Sequence, residues 1–94
     1  MSQSKVISVK RWGTRLNSKP SAQALRAKCE RLLSFDDVLI INMAGVKDIT
    51  PGFAQECFGK LQLVANRRGA RIKFSYTEKT LAPIILNGIK AELR

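Results

Sequence analysis

The residues of this chain that could do chemistry are few, and the best placed of them stand around Thr50-Pro51-Gly52. A threonine hydroxyl can cap the free amides at the start of a helix. A proline directly after it loses nothing there, because the first helical N–H has no partner in any case. Just upstream, Val38-Leu39-Ile40-Ile41 is an unbroken apolar run, which predicts a strand covered on both faces and central in its sheet. Where such a strand releases the chain into a helix, free backbone N–H groups and the positive helix end gather. The chemistry expected at this junction is the holding of an anion or of an acidic group on a partner.

Other chemistry finds little support. The sequence has no histidine, which removes the commonest general base, metal ligand and triad member. Cys29, Cys57 and the scattered carboxylates lack metal-ligand spacing. Gly45, Gly52, Gly59 and Gly69 form neither a GxGxxG nor a P-loop pattern. The expectation is a protein that is not an enzyme and takes no metal or cofactor. Both thiols fall on the apolar faces of predicted helices and are expected to be buried, inert and unbridged.

Charge is the second lead. The net charge is +10, and residues 1–34 hold Lys5, Lys10, Arg11, Arg15, Lys19, Arg26, Lys28 and Arg31 against the single acid Glu30. Such a surface attracts phosphate backbones or an acidic protein, or simply keeps a small protein in solution. A nucleic-acid reading falls on Arg11, Trp12, Arg15, Lys19 and Arg26, with the only tryptophan offered to a base for stacking. Inhibition of a nucleic-acid enzyme belongs to the same reading. Trp12 suits a second role better, covering one end of the core.

These groups must be positioned by a small scaffold. Ninety-four residues, 45% of them apolar, make one domain with a single core, spanning residues 1–94. No apolar run approaches the ~20 residues needed to cross a bilayer, and the N-terminus lacks a signal-peptide core, so a cytoplasmic protein is expected. Lys5 to Val9 reads as an edge strand. Ser18 or Ser21 caps a first helix with Pro20 in its opening turn and Ala22, Leu25, Cys29, Leu32 and Leu33 on its apolar side. Ser34 to Asp37 breaks that helix. The second helix has Phe53, Cys57, Leu61, Val64 and Ala65 on one side, Phe58 at the border and Leu63 exposed, and Gly69 ends it. Ile72, Phe74 and Tyr76 alternate with Arg71, Lys73 and Ser75, a strand with one covered and one wet face. Thr77 or Thr80 caps a last helix carrying Leu81, Ile84, Ile85, Gly88, Ile89 and Leu93, with Pro83 in its first turn. The order βαβαβα predicts an α/β fold with a short central sheet of parallel strands and about three helices.

From about Trp12 onward, the chain resembles the STAS-like domains, small bacterial and phage α/β domains related to anti-sigma-factor antagonists. The resemblance rests on Val38 to Val46 (VLIINMAGV) as the family's apolar strand and Gly-Val turn. It continues through Ile49 to Phe58 (ITPGFAQECF) as its helix start, with Leu16-Asn17-Ser18 and the Pro20 to Leu33 helix upstream. Asn42 replaces the usual aspartate after the strand, and Gln55-Glu56 replaces an Asp-Glu pair. The resemblance implies the same α/β fold and a regulatory, non-enzymatic protein that binds a partner of the ATPase or kinase type. It places the partner surface at Lys47, Asp48, Thr50, Gly52, Phe53 and Glu56. Aligned on Gly52, Thr50 falls where true antagonists carry a phosphorylated serine, which makes it a candidate phosphosite. A phosphate there would add about two negative charges to the docking surface. The plainer role for Thr50 is that of a helix cap. Homodimerisation through a strand edge or Leu63 is a further expectation.

Overall fold

The structure is a computed structural model that describes residues 4–34 and 37–93. Phe35 and Asp36, within the expected break after the first helix, lie outside the described residues. Strand β1 (Ser4–Ser8) leads through a 3-10 turn (Val9–Trp12) and a two-residue strand β2 (Arg15–Leu16) into helix α1 (Lys19–Leu32). Ser18 is the cap: its Oγ accepts the Ser21 N–H at 3.2 Å, with Pro20 in the first turn. Ala22, Leu25 and Cys29 recur on the buried side. At the other end the Arg68 guanidinium donates to the carbonyls of Glu30 and Leu33 at 2.9 and 2.6 Å. The Glu30 carbonyl also accepts the Leu33 N–H at 3.4 Å, and the arginine adds to this local closure from a distant element, as a C-cap does.

Strand β3 (Val38–Asn42) sits between β1 and β5 (Arg71–Ser75), and both pairings are parallel. The expected α/β architecture, a small parallel sheet with three helices, is what forms. One feature of β3 differs from expectation. Leu39 and Ile41 are fully buried, whereas Val38 and Ile40 are only half-buried. The register explains this, because Ile7, Ile41 and Phe74 share one face while Val6, Ile40 and Lys73 share the other. Ile7 is buried; Val6, its neighbour on the opposite face, is 62% exposed. The crossover helices cover one face only, so an unbroken apolar run did not mean a strand buried on both sides.

After β3 the Asn42 side chain accepts the Ala44 N–H at 2.9 Å and closes a local turn. A second short strand, β4 (Asp48–Ile49), then pairs in parallel with β2. The amides of Lys47 and Asp48 donate to the Thr14 carbonyl at 2.8 and 3.2 Å, and the Thr50 amide donates to that of Leu16 at 3.0 Å. This ribbon, absent from the sequence reading, joins the segment before α1 to the segment before the second helix.

That second helix runs over residues 51–68 in three parts: α2 (Pro51–Ala54), a π turn (Gln55–Gly59) and α3 (Lys60–Arg68). The π turn buries three consecutive residues, Cys57, Phe58 and Gly59. A π turn holds more residues than an α turn, so it shifts the buried stripe relative to an ideal 3.6-residue period. Phe58, expected at the border, is therefore central, with T-shaped contacts to Phe53 and Phe74 at centroid distances of 6.1 and 5.1 Å. Leu63, expected exposed, is half-buried. Gly69 ends α3 in the left-handed conformation, φ 64°.

Beyond β5 the alternation breaks. Tyr76 takes a left-handed backbone, φ 55°, and is 77% exposed, so it leaves the covered face on which its spacing had put it. Helix α4 (Ala82–Leu93) has Pro83 in its first turn. Thr77 does not cap it, because its Oγ1 has no hydrogen-bond partner. Helix α4 packs chiefly on the π turn and α2. Leu86 and Leu93 face outward. No helix among the described residues is long and apolar enough to cross a membrane.

Candidate functional site

The site is built where the β2–β4 ribbon hands the chain to α2. Thr50 takes the extended conformation of an N-cap, and its Oγ1 accepts the Phe53 N–H at 3.2 Å. Pro51 follows in the first turn, as the sequence predicted. Around this helix start lies a pocket of about 250 Å3 lined by Asn17, Lys19, Thr50, Gly52, Phe53 and Glu56. Phe53 is 2% exposed, so it belongs to the core and meets the pocket only from beneath. Gly52 lies on the outside, and an added Cβ there would meet nothing within 4 Å.

Glu56 is the electrostatic centre. Its carboxylate meets Lys60 at 2.9 Å and Arg26 at 3.5 Å, and the Gln23 amide donates to it at 3.5 Å. Arg26 also donates to the Glu56 carbonyl at 3.2 Å. The hydrogen bond from Lys60 is the main reason the Glu56 carboxyl is held below the usual carboxylate range, with the charges of Lys60 and Arg26 and the Gln23 bond adding to it against desolvation. Glu56 therefore stays ionised at neutral pH. Lys47, at the far end of the ribbon, turns to Glu78 at 3.0 Å, and Asp48 stands opposite Arg15 in the ribbon.

The two surfaces that the sequence kept apart thus partly coincide. Lys19 lines the pocket beside Thr50, Arg26 is held by Glu56, and Arg15 neighbours Asp48. The remaining members of the basic set lie elsewhere. Trp12 is partly buried against the core, and Arg11 lines a separate cleft with Val6, Ile7, Ser8, Lys28 and Leu32. Three contributors, Asn17, Gln23 and Lys60, were not among the expected site residues, although Lys60 stands four residues after Glu56, a spacing that pairs opposite charges on a helix. Asn17 carried a signal, since it lies in the Leu16-Asn17-Ser18 segment that precedes the capped helix. Gln23 carried none, because an exposed glutamine on a helix is ordinary.

Neither cysteine lines the site. Cys29 and Cys57 are unbridged and fully buried beneath the helices. Burial pushes the Cys29 thiol up to about 12 and raises the Cys57 thiol further, so both stay protonated and unreactive. Among the described residues no group of three or more His, Cys, Asp or Glu side chains could hold a metal ion. The arrangement can accept a surface of mixed charge. Lys19 offers a cation, Glu56 an anion and Thr50 a hydroxyl around an open glycine.

No curated protein and no solved structure matches the chain. Residues 21–80, from the first turn of α1 through the pocket and β5 to the approach to α4, match the STAS-like domain of unknown function (DUF4325). That match takes in most of the chain, and the chain belongs to the STAS-like domain family.

Proposed function

We propose that the chain is a non-enzymatic regulatory module that docks a protein partner at the start of the 51–68 helix, as anti-sigma-factor antagonists do. The partner class this kinship suggests is an ATPase or kinase that regulates transcription. Gly52 is the observation that carries the reading. Glycine near a helix start forgoes up to about 1 kcal/mol relative to alanine. Nothing among the described residues requires it: the backbone is not left-handed there, and no neighbour lies within 4 Å of the missing Cβ. A bare backbone at an exposed helix start suits close approach by something outside the chain. The mixed charge of Lys19 and Glu56 beside it suits a protein surface better than a uniformly anionic polymer.

Thr50 supplies a means of regulation. A phosphate on its hydroxyl would add about two negative charges within a pocket that already holds Glu56. Like charges in that space would weaken docking of any partner that presents an acid to Lys19.

The test compares capture from nuclease-treated host lysate by the wild type, Gly52→Arg and Thr50→Asp. Gly52→Arg fills open space and leaves the core intact, while Thr50→Asp keeps a capping oxygen and adds charge. An ATP-binding regulator retained by the wild type and lost by both variants supports the reading. Equal retention by all three, or capture that disappears with nuclease, overturns it.

A further inference from the structure

A second groove lies away from this pocket, between β5 and α4. It encloses about 400 Å3; Ile72, Phe74, Ile85, Leu86 and Ile89 make its lining largely apolar, with Gln62 and Thr77 as the polar members. Leu86 on its rim is 51% exposed, a large apolar side chain left in water. Thr77 Oγ1, buried at the groove, has no hydrogen-bond partner, and a buried hydroxyl left unpaired costs free energy. Helix α4 packs on α2 and the π turn rather than closing down over β5, which leaves the groove open.

Beside the groove runs a free strand edge. Strand β5 ends the three-stranded sheet, and among the described residues no strand lies beyond it. Its inner side is identified by two bonds: the Arg71 N–H donates to the Asp37 carbonyl at 2.9 Å, and the Ser75 carbonyl accepts from the Met43 N–H at 2.8 Å. Backbone groups alternate sides along a strand, so those of Ile72 and Phe74 point outward. Their side chains are the same ones that line the groove. On the other face of this strand, Arg71 and Lys73 are exposed.

We propose that β5 is a docking edge for an extended segment of a partner protein in which apolar and acidic residues alternate. Such a segment adds as a further strand. Its main chain bonds to Ile72 and Phe74, its apolar side chains enter the groove, and its carboxylates lie beside Arg71 and Lys73. The charges select this occupant over a second copy of the chain. In a two-fold β5 pair, Arg71 and Lys73 would share a face with their own copies, and like charges across strands are destabilising. A helix laid in the groove would leave the strand edge unpaired. The net charge of +10 favours an acidic segment at longer range.

The test uses a labelled peptide of strictly alternating glutamate and valine, followed by backbone amide NMR of the full chain. The expected result is a shift of the Ile72 and Phe74 amides and slowed exchange of both, with side-chain changes at Ile85 and Ile89. Reversing the charges with Arg71→Glu and Lys73→Glu together should weaken binding by roughly tenfold or more. The lysine–valine counterpart should then bind the double variant better than it binds the wild type. A second measurement needs no variant: the peptide N-methylated on all its valines and the peptide N-methylated on all its glutamates are compared. One of them blocks the pairing edge and must lose binding. The proposal fails if the glutamate–valine peptide does not bind at millimolar concentration, or if charge reversal changes nothing. It also fails if both N-methylated peptides bind as well as the parent, or if the chain forms a dimer that Leu86→Glu dissociates.

Discussion

Two glycines seven residues apart in one helix show how differently its start and its middle are used. Gly52 faces open space, and a Cβ added there would touch nothing within 4 Å. Gly59 is clamped: its Cβ would lie 2.7 Å from the Gly88 carbonyl oxygen and 3.0 Å from the Glu92 side chain. Gly88 is held as tightly from the other side, with Ala54 and the Gln55 amide 2.8 Å from its missing Cβ. At Gly59 the small residue is demanded by the fold, because α4 crosses the π turn at backbone distance. At Gly52 the fold makes no such demand. Glycine that packing does not explain is where an outside partner is worth seeking.

The sharpest way to probe the clamped π turn is Phe58→Ala. Phe58 fills the space between Phe53 and Phe74 and is 1% exposed, so its loss should cost about 3–5 kcal/mol of stability in urea unfolding. A cost near zero would mean that the π turn does not carry the core. Gly88→Ala comes next, at about 1–3 kcal/mol, because the new methyl group meets the α2 backbone, which cannot swing aside as a flexible side chain could. The open end should respond more gently. Thr50→Ala removes the acceptor for the Phe53 amide and should cost about 1 kcal/mol, while Thr50→Ser keeps it and should recover most of that.

Gly52→Ala should reverse the sign, raising stability by about 0.5–1 kcal/mol in the same measurement while weakening partner capture. If it destabilised the fold, the contrast between the two glycines would collapse. The smallest effect concerns acid. Glu56 has its carboxyl held low in the folded state, chiefly by the Lys60 hydrogen bond, so its stabilising contribution is complete above the ordinary glutamate value of about 4.3. That contribution is lost as pH falls through the lower folded value. The stability gap between wild type and Glu56→Gln should therefore be constant near neutrality and close only below the ordinary range.

Much of the fold was legible because its signals are local. Ser18 with Pro20, Thr50 with Pro51, and Gly69 mark helix ends through hydrogen bonds and backbone angles set within a few residues. The apolar spacing of Ala22, Leu25 and Cys29 marked the buried side of α1 for the same reason. Half of the site was legible as well, since Thr50, Gly52 and Glu56 lie within one turn or two of that cap. The other half was not. Asn17 and Lys19 reach the pocket through the β2–β4 ribbon, and Arg26 and Gln23 reach Glu56 across thirty residues or more. Two-residue strands have too little pattern to be read, and charged side chains on a helix carry no mark of the partner they will meet.

By itself the sequence determined the order of the three main strands and the three helices, the starts of the first two helices at Ser18 and Thr50, and the absence of histidine-based chemistry. It also determined the excess of positive charge. Tertiary structure alone decided that the apolar run of β3 would be covered on one face only, that Gln55–Gly59 would wind as a π turn, and that Tyr76 would turn outward. It decided too that Lys19 and Arg26 would join Thr50 and Glu56 at one surface. Caps and periods are energies of neighbouring residues, and a chain writes them in order. Which face a sheet shows to its helices, and how closely two helices approach, depend on surfaces that meet only after the chain has folded.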